Sequence, residues 1–222
     1  MGIFNFFKKK PTEPVTIPIA PYIESAINKI YNLLFCDNLK LCSEIIKPPY
    51  SYPFDILFSE KISVNDLQKI TRDPNLDSRV KILAYNNLLS TGIKHEKKEL
   101  LAVIVEMGPD DGLDVLAAFN DGTVRYINHA EKIIAWEKKD EIAEKIINDI
   151  FDKSENIISN IGVWDKPRKP QPVKGIARIT FLVSDGLYFG EGPIEILFSD
   201  PMAQPVLNKA TELMQYLIEK TI

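Results

Sequence analysis

The sequence predicts an α+β protein in which N-terminal helices pack with an antiparallel sheet. Three observations predict it. Apolar residues recur at helical spacing up to Gly92 and then give way to strand-like runs. Short turn signals, Asn120-Asp121-Gly122 and Ser184-Asp185-Gly186, separate apolar runs, so neighbouring strands return antiparallel. A turn-and-strand pattern also occurs twice, in Leu113–Trp136 and in Ile176–Phe198. Each copy is followed by an amphipathic helix, which suggests two β-β-β-α units.

The elements follow in order. Tyr22, Ile23, Ala26, Ile27, Ile30, Tyr31 and Leu34 form a helical face behind Pro21. A short helix over Asn38–Ile46 stops at Pro48-Pro49. Tyr50-Ser51-Tyr52-Pro53-Phe54 cannot be a central strand, because Pro53 has no N–H for a ladder, and Tyr50, Tyr52 and Phe54 are expected to cover the sheet, with lining a groove as the alternative. Ser63 caps a helix over Val64–Thr71, and Asp73-Pro74 opens another that Gly92 closes. Leu100–Met107 is rich in valine and isoleucine and reads as a strand. Strands at Leu113–Phe119, Thr123–Asn128 and Lys132–Trp136 come next. A helix with Ile142, Ile146 and Ile150 stacked four apart follows them. The second unit has strands at Ile176–Ser184, Leu187–Gly190 and Pro193–Phe198. Asp200-Pro201 then caps a last helix.

These elements divide the chain into a flexible N-terminal segment (1–20), a helical part (21–92) and a sheet unit with its helix (93–160). A linker or exposed loop (161–174) and a second sheet unit with its helix (175–222) complete it. Residues 93–222 are expected to form one domain.

Composition narrows the function classes. At 222 residues, with 45% apolar and 26% charged side chains, the chain can bury a substantial core. A net charge of −4 argues against a nucleic-acid protein. Cys36 and Cys42 are too few for a disulfide framework and suit reduced thiols in the cytoplasm. No apolar run approaches the roughly 20 residues that span a bilayer. Phe4, Phe6 and Phe7 precede Lys8, Lys9 and Lys10. That pattern suits a partner-docking peptide or weak contact with an anionic membrane surface, where each lysine adds on the order of 1 kcal/mol.

Chemistry-bearing patterns are sparse. If Asp121-Gly122 is a two-residue loop, Ala118 faces Arg125, Leu116 faces Ile127 and Asp114 faces His129. Asp114, Arg125 and His129 then share one sheet face, where a carboxylate can orient an imidazole as a base. A three-residue loop would place Leu113 opposite His129 instead. No nucleophile motif accompanies the pair, which a surface contact explains as well. Asp110, Asp111, Asp114 and Glu106 lack the alternating spacing of a calcium loop. With only His95 and His129, a zinc site is not indicated, and no metal or cofactor is expected. Gly186, Gly190 and Gly192 sit in a hairpin and form no phosphate cradle. In the proline-rich loop, Trp164 and Arg168 are the candidate partner contacts, with Phe4 and Phe7 at the N-terminus.

The run Leu113 to His129, Leu-Asp-Val-Leu-Ala-Ala-Phe-Asn-Asp-Gly-Thr-Val-Arg-Tyr-Ile-Asn-His, resembles a segment of uncharacterised bacterial proteins. The resemblance covers under a quarter of the chain and implies a bacterial origin and no activity. The sequence therefore points to a non-enzymatic protein-interaction module, an adaptor or a toxin-neutralising partner, with an unidentified protein partner and no assigned oligomeric state. The alternative is an enzyme or small-ligand binder built on Asp114, Arg125 and His129.

Overall fold

A computed structural model describes residues 19–93, 97–109 and 112–221. Five helices come first: α1 (Ser25–Leu33), α2 (Leu39–Ile45), α3 (Phe54–Leu57), α4 (Val64–Arg72) and α5 (Ser78–Ser90). Strands β1 (Leu100–Met107), β2 (Asp114–Phe119), β3 (Val124–Ile127) and β4 (Ile133–Trp136) lead into the long helix α6 (Glu141–Asn160). The chain ends with β5 (Ile176–Val183), β6 (Gly186–Pro193), the short α7 (Ile194–Leu197) and α8 (Ala203–Thr221).

All six strands join one antiparallel sheet in the order β4-β3-β2-β1-β5-β6. The two strand groups thus share a sheet, with β1 between them. The N-terminal helices cover one face, and α6 and α8 cover the other. Because β1 is covered on both sides, it reads as a continuous apolar run instead of an alternating one. Its Val103 and Val105 enter the core with Ile146, Ile150, Leu207 and Leu213, while Ala102 and Ile104 enter the core with Tyr31, Leu67 and Leu83. Trp136 is buried at the β4 edge, edge-on to Tyr216 of α8. Gly108 closes β1 where a Cβ would lie 2.6 Å from the Val173 carbonyl oxygen, so the close approach of that loop requires glycine.

The helix starts are chemically specified. Asn38, Ser63 and Asp140 each accept a backbone N–H at the N-terminus of α2, α4 and α6. Asp200 accepts from the N–H groups of Met202 and Ala203 ahead of α8.

Several expectations need correction. Ile194–Leu197 is helical, and β6 runs on to Pro193, so the second unit has two strands followed by a helical turn. The helix expected from Asp73-Pro74 begins at Ser78, and Asp73 instead accepts from the Asn75 N–H and the Tyr52 hydroxyl. Tyr50 and Tyr52 are exposed and do not cover the sheet. Ile142 is 56% exposed, because its neighbour Ala143 is the residue of this turn that faces the core.

The β2–β3 register is also corrected. Phe119 N–H donates to the Thr123 carbonyl and Gly122 N–H to the Phe119 carbonyl, which makes a three-residue turn. Ala117, not Ala118, faces Arg125, and Val115 faces Ile127. A one-residue slip exchanges the faces of a strand.

Candidate functional site

That slip separates the three residues of the expected sheet-face site. Arg125 follows the face of Ile127, toward the N-terminal helices, whereas Asp114 follows Leu116 toward α6 and α8. Arg125 donates to the carbonyls of Val124 and Trp136 and pairs with Glu137. Asp114 and His129 do meet. Asp114 Oδ1 accepts the His129 backbone N–H at 2.7 Å and lies 3.2 Å from Nδ1. His129 is exposed and packs its Cβ side against Gly112. Burial, followed by the Asp114 charge, pushes the Tyr126 hydroxyl up to about 12. Asp114 here locks the chain leaving β3, and Arg125 is held by another face and other partners.

The loop 161–174 is tied down at several points. Trp164 bridges to Leu187 of β6, stands edge-on to Phe189 at 5.0 Å and donates its indole N–H to the Pro167 carbonyl. Arg168 reaches across to the helical layer. Its Nε donates to Asp37 and its Nη2 to Asn32, both at 2.8 Å, and its guanidinium lies 3.8 Å from the Phe35 ring centre. Its side chain is only 9% exposed.

Beneath this loop runs a row of charges that sequence reasoning missed. Glu106 of β1, Arg178 of β5 and Glu191 of β6 are direct neighbours in register. Arg178 Nη1 is 3.4 Å from Glu106, its Nε donates to Glu191 at 2.7 Å, and its Nη2 donates to the Pro170 carbonyl. Tyr31 of α1 donates its hydroxyl to Glu106 at 2.6 Å. Burial raises the Glu106 carboxyl above its ordinary range, against the Arg178 charge and the Tyr31 hydrogen bond. Lys169 closes the row on Glu191. A cavity of about 300 Å³ beside it is lined by Lys169, Pro170, Val173, Ile176, Arg178 and Glu191. Its charged groups already pair with one another across β1, β5 and β6, which leaves little for a ligand.

Two of the other openings among the described residues bear on function. A cavity of about 700 Å³ between the start of β1 and α6 is lined by Lys98, Glu99, Asn120, Asn148, Asp152 and Glu155. Its charges are of both signs and converge on no single ligand type. The second is an apolar groove of about 240 Å³ among α1, α2, α3 and α5. Leu33, Ile45, Ile46, Phe54, Val80 and Leu83 form its walls. Cys36 and Cys42 line it as free thiols. Burial, followed by the neighbouring Asp37 charge, pushes the Cys42 thiol up to about 11, which makes it a poor nucleophile. Arg79 and Asp77 lie at one side, 3.6 Å apart. The Arg79 Nε is buried and has no hydrogen-bond acceptor among the described residues.

Ile45 at the groove is 52% exposed. The sequence carried one signal for it: Ile45 and Ile46 end a short helix directly before Pro48-Pro49, where two large apolar side chains cannot both turn inward. The candidate contacts Phe4 and Phe7, together with His95, Asp110 and Asp111, lie outside the described residues. Among the described residues, no group of three or more His, Cys, Asp or Glu side chains is arranged to hold a metal, and no helix is long and apolar enough to cross a membrane. No protein-family model matches the sequence, and no curated protein matches it.

Proposed function

We propose that this chain is a non-enzymatic protein-interaction module whose contact surface is the groove among α1, α2, α3 and α5. The observation that carries the reading is the groove's apolar wall beside a half-exposed Ile45. Its volume falls below the roughly 300–1,000 Å³ of small-molecule pockets, which favours a few apolar side chains of a polypeptide over a free metabolite. The alternative, a ligand site around Asp114, Arg125 and His129, loses support because Arg125 projects from the other face of the sheet. An adaptor and a toxin-neutralising partner are both modules of this kind. Two free cysteines fit a cytoplasmic setting.

The test is affinity capture from the native host with the full chain. Wild type is compared with Ile45→Asp, Trp164→Ala and the double variant Asp114→Ala/His129→Ala. A protein held by wild type and lost only with Ile45→Asp supports the groove. Loss only with Trp164→Ala moves the surface to the 161–174 loop. A small molecule lost only with the double variant revives the ligand reading.

A further inference from the structure

We infer that the groove accepts the chain's own N-terminal apolar segment, Ile3-Phe4-Asn5-Phe6-Phe7, in cis. The inference rests on reading the groove as a polypeptide-binding surface and names its first occupant.

Ile19 is fixed to α1 by a reciprocal pair: its N–H donates to Asn32 Oδ1, and Asn32 Nδ2 donates to the Ile19 carbonyl at 2.6 Å. Asn32 directly precedes Leu33, a wall of the groove. Ile19 is therefore held on α1 at the residue next to a wall of the groove. Between Phe7 and Ile19 the backbone can span up to about 40 Å at roughly 3.3 Å per residue. Packed helices are separated by only about 8–10 Å, so the tether returns to the groove with length to spare.

Composition singles out the same segment. Of the residues outside the described set, 94–96 are Lys-His-Glu, 110–111 are Asp-Asp and 222 is a single isoleucine. Residues 3–7 bring four large apolar side chains within five positions. A groove walled by leucine, isoleucine, valine and phenylalanine suits such side chains, since each one buried leaves water. The buried Arg79 Nε supplies a donor at the groove, and a backbone carbonyl of the docked segment would satisfy it. A tether this short holds the segment at an effective concentration of about millimolar, so even weak intrinsic affinity fills the groove. An external partner would then have to displace the segment.

The experiment uses the full chain with p-benzoylphenylalanine at position 6, irradiated at low micromolar concentration, with the cross-links mapped by mass spectrometry. We expect intramolecular cross-links to residues 33–46, 54 and 79–83. Ile45→Asp should lower their yield about tenfold, because a carboxylate at that wall must be desolvated when the segment docks. Ile45 is exposed, so the variant should fold, and an unchanged Tm confirms it. Cross-links elsewhere on the chain, cross-links only between two copies, or none at all would overturn the inference. An external protein captured through Ile45 in a chain without such cross-links would leave the broader reading standing and this one refuted. Intramolecular groove cross-links in a chain that captures nothing would do the reverse.

Discussion

Glu106 and Arg178 face each other in register across β1 and β5, 3.4 Å apart and both buried. They are the midpoint of a row that fastens the sheet to α1 through Tyr31 and to the 161–174 loop through Pro170. Removing one partner leaves the other as an uncompensated buried charge. Arg178→Met should therefore destabilise the fold by about 3–5 kcal/mol. Chemical denaturation of the variant beside wild type measures it.

The same carboxylate sets a pH dependence. Burial holds the folded-state pKa of Glu106 above its unfolded value. The folded state then keeps its proton longer, so this group's contribution is full below the unfolded pKa and is lost as pH rises through the folded pKa. Glu106→Gln removes that titration. The stability of wild type relative to Glu106→Gln should decline as pH is raised from the unfolded value, and a difference that is flat or rises with pH would contradict the assignment.

Asp121 works in the opposite direction. Its Oδ2 accepts the Ser78 N–H at the start of α5, and its Oδ1 accepts the Thr123 N–H and hydroxyl, so one side chain joins the β2–β3 turn to the helical layer. Burial would raise its carboxyl, but the hydrogen bonds from Thr123 and Ser78 outweigh it and hold the pKa below the ordinary value. The stabilisation is present above the unfolded pKa and is lost as pH falls through the folded one. Asp121→Ala should cost about 1–2 kcal/mol at neutral pH and less in acid, measured by thermal unfolding across pH.

Arg168 should behave as a clamp on the 161–174 loop. Its fork on Asp37 and Asn32 and its stacking on Phe35 use the planar guanidinium, which a lysine cannot reproduce. Both Arg168→Ala and Arg168→Lys should speed tryptic cleavage after Lys174, at the end of the loop, with the rest of the chain protected. Limited proteolysis followed by mass spectrometry reads this directly.

His129 and Asp114 should differ in cost. The His129 ring is half exposed, so His129→Ala should change stability by less than about 1 kcal/mol. Asp114→Ala also removes the acceptor of the His129 backbone N–H and should cost more. Equal losses in thermal unfolding would show that the ring contact carries the pair.

Much of the fold was legible in the sequence because local signals agreed with the tertiary outcome. Ser63 and Asp200 sit at helix starts, and the valine- and isoleucine-rich stretch at 100–107 is β1. The departures have local physical causes. Pro193 ends β6 by lacking an N–H, and the apolar run after it coils into α7 instead of extending. The Asp121-Gly122 dipeptide permits loops of two or three residues, and the choice falls to Asp121, whose carboxylate is drawn to Ser78 on another element. That single residue of slip moved Arg125 to the other face. The Glu106–Arg178–Glu191 row was unreadable, since it needs the pairing of β1 with β5 across more than 70 residues. The groove was legible only in part, through Phe54 and the Ile45-Ile46 pair, because its walls come from four separate helices.

The most direct test of the account is calorimetric titration of a captured partner into wild type, Ile45→Asp and Trp164→Ala. We expect Ile45→Asp to weaken binding by tenfold or more, the equivalent of about 1.4 kcal/mol, and Trp164→Ala to leave it unchanged. Undiminished affinity with Ile45→Asp, or a loss confined to Trp164→Ala, would contradict the assignment of the groove as the contact surface.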